Sequence, residues 1–199
     1  MEKVKKNDVI KVKVTGVQKY GAFVNSEDNN YDYIYLENDI TLTSGFIINP
    51  NKSKIIIDGT YNNVKSTYTN NLESLEGNVI KASTKNKEII LKNMNIISSS
   101  GYGVIYVPSH PNYSNVVVEY NNVNFTGIEL SQNYYGTTKI IDSVIEVKDT
   151  NNVLAQKACD SNKVLIGGIT SINSSAVDKP VIFLNDVIPS TLKIMPNSK

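Results

Sequence analysis

Apolar triplets recur along this chain in similar surroundings: Ile55-Ile56-Ile57, Ile89-Ile90-Leu91, Val116-Val117-Val118, Ile140-Ile141 after Lys139, and Val164-Leu165-Ile166. Centred on Ile56, Ile90, Val117, Ile140 and Leu165, they are spaced by 34, 27, 23 and 25 residues. A polar or glycine step follows three of them, and then a second run that alternates: Asn93-Met94-Asn95-Ile96, Asn122-Val123-Asn124-Phe125 and Gly168-Ile169-Thr170-Ser171-Ile172. Ser143-Val144-Ile145-Glu146-Val147 fills the same slot in another repeat. Alternation of apolar and polar residues, rich in β-branched side chains, predicts strands with one buried face. The repeating unit is therefore strand, bend, strand. Loops such as Ser98-Ser99-Ser100-Gly101 and Ser131-Gln132-Asn133 separate the units, with residues that satisfy the backbone locally.

No stretch has helical periodicity, which excludes tetratricopeptide, ankyrin and HEAT arrays and βαβ folds. Two all-β architectures remain, an antiparallel sandwich and a parallel β-helix. A sandwich places turns every 8 to 12 residues without long-range similarity between segments. Segments that return once per coil favour the helix, each triplet stacking on the one before at about 4.8 Å. Stacking of the triplets as spaced would set Asp58, Lys92, Glu119 and Asp142 in one column.

Composition narrows the chemistry. Hydrophobic residues make up 40% and charged residues 20% of the 199 residues, as in folded globular chains. A formal charge of +1 gives no global field to gather nucleic acid, anionic membrane or acidic glycan. All 20 basic residues are Lys. One Cys, Cys159, allows no internal disulfide and is expected as a buried free thiol. No window approaches the roughly 18 apolar residues of a membrane span, so no membrane insertion is expected. Lysines interrupt the apolar run near Met1, so no export signal is apparent.

The segment Tyr33-Ile34-Tyr35-Leu36-Glu37-Asn38-Asp39-Ile40-Thr41-Leu42, followed by Lys54-Ile55-Ile56-Ile57-Asp58-Gly59, resembles the opening of pectate-lyase-like β-helices. With the repeats, the likeness runs from about Tyr31 to Pro196 and is greatest to the Asn-rich, pectate-lyase-like adhesive domains of bacterial surface proteins. It implies an all-β, right-handed, single-stranded parallel β-helix. It also implies binding to a glycan or protein surface rather than cleavage, in an extracellular or cell-surface setting. A second resemblance covers only Asn7 to Val24, which is similar to the first two strands of an S1 RNA-binding domain. There Tyr20 and Phe23 match stacking positions, with Lys19 nearby for phosphate. That family continues with Gly-Leu-Ile-His-Ile-Ser, whereas this chain has Tyr31-Asp32-Tyr33-Ile34-Tyr35-Leu36. Its barrel needs five strands, and the β-helix signature begins after the second. Residues 1–30 are thus expected as a β-hairpin capping a β-helix of residues 31–199, and nucleic acid is not the favoured partner.

Candidate chemistry is sparse. The lyase families cleave with Ca²⁺ held by carboxylates and an Arg base, and this chain has no Arg. Glu119 and Asp142, if neighbours in the column, could share Ca²⁺ or work as an acid–base pair in a polysaccharide lyase or glycosidase. With Lys92 beside Asp58, the simpler expectation is an exposed charge ladder, leaving no cofactor implied and Ca²⁺ without further support. His110 lies between Pro108 and Pro111 with no nucleophile context, so a solvent-facing loop position is expected. Tyrosines are more informative. Tyr102, Tyr106 and Tyr113 flank one loop and Tyr134-Tyr135 lies one coil later, and rings of this kind stack on sugars or anchor protein contacts. Tyr106, Tyr113, Tyr134 and Tyr135 are the expected ligand-binding residues.

Overall fold

A computed structural model describes residues 14–18, 21–25, 31–42, 46–47, 51–61, 63–70, 80–84, 86–150, 153–185 and 189–195, those before Asp32 and residues 46–47 by backbone alone. Parallel strands wind into a β-helix, as the repeat predicts, but with a third sheet beyond the two strands of the repeat: Ser131-Gln132-Asn133, expected as a loop, is one of its strands. The first sheet stacks Tyr31–Tyr35, Lys54–Asp58, residues 88–92, 117–121, 137–141 and 163–167, and Thr191–Ile194. The second stacks Ile40–Leu42, Thr67–Asn70, residues 95–98 and 124–127, Val144–Val147 and Ser171–Ser174. The third stacks Phe46–Ile47, Ile80–Lys81, Ile105–Val107, residues 131–133 and 159–161, and Ile182–Leu184. Val14–Gln18 and Gly21–Asn25 form an antiparallel hairpin whose second strand pairs antiparallel with Tyr31–Tyr35. It extends the first sheet beyond its first coil.

Period-two alternation decides which side chains fill the interior. Ile55 and Ile57, Ile89 and Leu91, then Val118 and Tyr120 stack inward in successive coils and are buried. Further along, the interior turns polar. Thr138 Oγ1 lies 2.6 Å from Ser161 Oγ and 3.4 Å from Ser131 Oγ, and the Tyr120 hydroxyl donates to the Leu130 carbonyl at 2.9 Å. Burying these hydroxyls is affordable because each meets a partner.

The corner between the first and second sheets is a single residue in the left-handed region: Asn93 (φ 53°), Asn122 (φ 54°), Asp142 (φ 49°) and Gly168 (φ 60°). Asn and Asp visit that region at lower cost than other side-chain-bearing residues. Their side chains then tie coil to coil. Asn122 Nδ2 donates to Asn93 Oδ1 at 2.9 Å, and Asn93 Nδ2 to Asp58 Oδ1 at 3.1 Å. Gly168 is forced, because a Cβ there would lie 2.0 Å from Asp142 Oδ1, which accepts from the Ile169 amide at 2.9 Å.

The register corrects one sequence expectation. Ile90 pairs with Glu119, Glu119 with Lys139, and Lys139 with Leu165, so neither Val117 nor Ile140 is the equivalent of Ile90. Tyr120 is the reason for the first displacement. It occupies an inward position, stacked on Leu91, and sets Val118 opposite Ile89, where the triplet spacing would put Val116. Asp58 does stack on Lys92, but the column continues through Asn121 and Ile141.

Asn122→Ala should cost about 2 kcal/mol, combining left-handed strain with the lost bond to Asn93. Asn122→Gly keeps the turn and should cost roughly half as much. Denaturant unfolding of the two variants checks the order.

Candidate functional site

The third sheet and the corners on either side of it carry Tyr102, Tyr106, Tyr113, Tyr134 and Tyr135. In Ile105–Val107 the flanking Ile105 and Val107 are fully buried, which sends Tyr106 outward. Gly103 turns the preceding corner at φ +78°, against the backbone of Ser131, where a Cβ would come within 2.9 Å. That turn sets the Tyr102 ring edge-on to Tyr106, with centroids 5.5 Å apart and planes at 68°. Lys81, one coil earlier and in register with Tyr106, places its ammonium 6.0 Å from the Tyr106 ring centroid, at the edge of cation–π range. Tyr113 belongs to the short 3₁₀ turn Pro111–Tyr113 and packs on the core. Burial first, and then the nearby Tyr102 and Tyr113, push the Tyr106 phenol above its ordinary range. His110 caps this turn, its exposed ring accepting the Asn112 amide at Nδ1 over 3.2 Å.

Tyr134 and Tyr135 lie one coil further on, where the chain passes from the third sheet to the first. Their rings are 5.3 Å apart at 64°. The corner is held from both sides. Gly136 sits where a Cβ would be 2.3 Å from the Val116 carbonyl, and Asn185 donates to the Tyr134 carbonyl at 2.7 Å. The structure thus groups Tyr106 with Tyr102 and Tyr113, and separately pairs Tyr134 with Tyr135. Lys19 and Tyr20 lie outside the described residues, and the strand of Phe23 is described by backbone alone.

Sequence reasoning missed the outward column of the third sheet, in which Lys81, Tyr106, Gln132, Asp160 and Phe183 follow one another in register. Strands of three residues leave too short a pattern to show it. Lys157 links the end of this column, 3.4 Å from Asp160 Oδ2 and 5.6 Å from the Phe183 ring centroid. Behind it, in the corner between the second and third sheets, Glu129 is buried, and its Oε1 has no hydrogen-bond partner among the described residues. Desolvation, reinforced by Asp160 and offset in part by Lys157 and Lys179, pushes its carboxyl up to about 8. Cys159 is a buried free thiol whose pKa burial raises, so it is a poor nucleophile.

Glu119 and Asp142 do not form a catalytic pair. Glu119 is in register with Lys139, and its Oε2 lies 3.4 Å from that ammonium, while Oε1 accepts from Asn121 at 3.1 Å. Asp142 stands three residues beyond Lys139 at the corner, bonded to the Ile169 amide. The expected convergence fails because the register sets Lys139, three residues before Asp142, opposite Glu119.

A family model described as the pectate lyase-like adhesive domain matches residues 13–132. The matched span takes in the hairpin strands and the Tyr102–Tyr106–Tyr113 group, and gives the S1 likeness no support. No curated protein and no solved structure matches the chain.

Glu129 generates a pH prediction. Its folded pKa exceeds the ordinary 4.5, so its contribution is present in full below about 4.5 and is lost as pH rises through about 8. Glu129→Gln should abolish that loss and stabilise the fold by about 1–3 kcal/mol at pH 8.5, with little effect at pH 4.5. Thermal melts across this range check it.

Proposed function

Because this chain belongs to the pectate lyase-like adhesive domain family, we propose that the outer face of its third sheet and the adjoining tyrosine corners form the recognition surface of a non-catalytic adhesive segment. Family membership supports an adhesive or surface-recognition role. The finer reading is ours: a glycan or protein surface is bound through Tyr102, Tyr106 and Tyr113, with Tyr134 and Tyr135 extending the contact by one coil. One observation carries it, the edge-to-face Tyr102–Tyr106 pair with Lys81 beside the Tyr106 ring. Rings held by their neighbours lose little freedom on binding and present an apolar face with a polar rim. The sheet beneath supplies the rigidity, since Ile105 and Val107 anchor the strand from inside. Among the described residues, no helix is long and apolar enough to cross a membrane.

Glycan arrays and pull-downs from intact cell surfaces test the proposal directly. Tyr106→Ala should weaken the captured interaction by roughly tenfold, the scale of losing an aromatic anchor. The folded protein should retain its circular dichroism spectrum. A well-folded wild type that captures neither glycan nor protein, or a ligand indifferent to Tyr106→Ala, would overturn it.

A further inference from the structure

The outer face of the first sheet carries a second ordered surface that recognition through the third sheet does not use. Over three successive coils its central column is Tyr33, Ile56 and Ile90, each in register with the next and each half-buried. Lys54 and Glu88 form an ion pair along one side of this stripe. Asp58 and Lys92 form another along the other side at 3.3 Å. Tyr35 lies beside Tyr33 with ring centroids 4.6 Å apart and planes tilted by 32°, and it is 41% exposed.

The polar groups here are fixed. The Tyr33 hydroxyl donates to Asp58 Oδ2 at 2.6 Å, and the Lys92 ammonium sits 5.1 Å from the Tyr33 ring centroid. Asp58 also accepts from the Thr60 amide at 3.0 Å and from Asn93 at 3.1 Å. Burial opposes ionisation of Asp58, yet the bonds from Tyr33, Thr60 and Asn93 and the charge of Lys92 outweigh it and lower its pKa. Burial and the adjacent carboxylate raise the Tyr33 phenol, so it keeps its proton and remains a donor.

Two lysines and two carboxylates cancel on this strip, so a polyanion gains no net attraction from it. An apolar aromatic stripe, framed by donors and acceptors that hold one another in place, matches the two-sided chemistry of a sugar ring. The C–H face lies on the stripe and the hydroxyls reach the rim. We propose that Tyr33, Tyr35, Ile56 and Ile90, framed by the Lys54–Glu88 and Asp58–Lys92 pairs, bind a neutral saccharide.

Calorimetry with linear neutral hexasaccharides of glucose, mannose and xylose, and with hexagalacturonate as the acidic control, tests this. At least one neutral sugar should bind, with an affinity unchanged between about 0.05 and about 0.5 M salt. Tyr35→Ala should weaken it about tenfold, Tyr35→Phe about twofold or less. Ile90→Lys adds a charge to the outward stripe while leaving the inward side chains in place, and should abolish binding in a protein that still melts cooperatively. Tyr106→Ala should leave this affinity unchanged, which separates the site from the third-sheet surface. The proposal is overturned if no neutral sugar binds, if only the acidic control binds and salt weakens it steeply, or if binding survives both Tyr35→Ala and Ile90→Lys. Capture of a protein by this strip with no affinity for sugars would overturn it equally.

Discussion

In-register pairing of each coil on the one before is the interaction on which the rest of the structure depends. A parallel ladder fixes the spacing of successive coils and, through the two-residue period of the side chains, decides which residues fill the interior. A slip of one residue in any coil would turn its core outward. Ile55, Ile89 and Val118 are stacked and buried for this reason, and Tyr33, Ile56 and Ile90 are aligned outside for the same reason. Surface chemistry is thereby arranged in columns along the helix axis, with neighbours drawn from distant parts of the chain.

The ladder can continue only if every coil turns its corner within the same space. Left-handed Asn93, Asn122, Asp142 and Gly168 do so in successive coils, and hydrogen bonds between corner side chains transmit the position of one coil to the next. Interior composition is less constrained than corner geometry. Tyr120, Thr138 and Ser161 take inward positions that Leu or Ile hold elsewhere, because each finds a hydrogen-bond partner inside. The outer columns answer to neither interior packing nor corner geometry.

Much of the fold was legible in the sequence, because repetition of β-branched strands at coil spacing has few other structural solutions. The asparagine and glycine steps after the triplets correctly marked the corners. Register was harder to see. Alternation buries Val116 and Val118 in either alignment, and the polar-tipped Tyr120 hid the inward position that decides which residue of the preceding coil each one stacks on. The supposed pairing of Glu119 with Asp142 arose from that ambiguity. Grouping of Tyr102, Tyr106 and Tyr113 could be anticipated from their closeness along the chain. The Asp58–Lys92 pair could be anticipated from the spacing of the first two triplets, whereas the place of Tyr33 beside it could not, since it comes from a third coil and is set only once the coils are aligned.

Engineered disulfides test the in-register stack most directly. Neighbouring residues on adjacent strands have Cα atoms about 4.8 Å apart, within the range a disulfide accepts. In a Cys159→Ala background, cysteines at Glu119 and Lys139 should oxidise readily to a closed loop without loss of structure, as their pairing requires. Cysteines at Glu119 and Asp142 should remain reduced under the same conditions. Ready closure of the second pair, with the first left open, would contradict the alignment of the coils and every surface assigned from it.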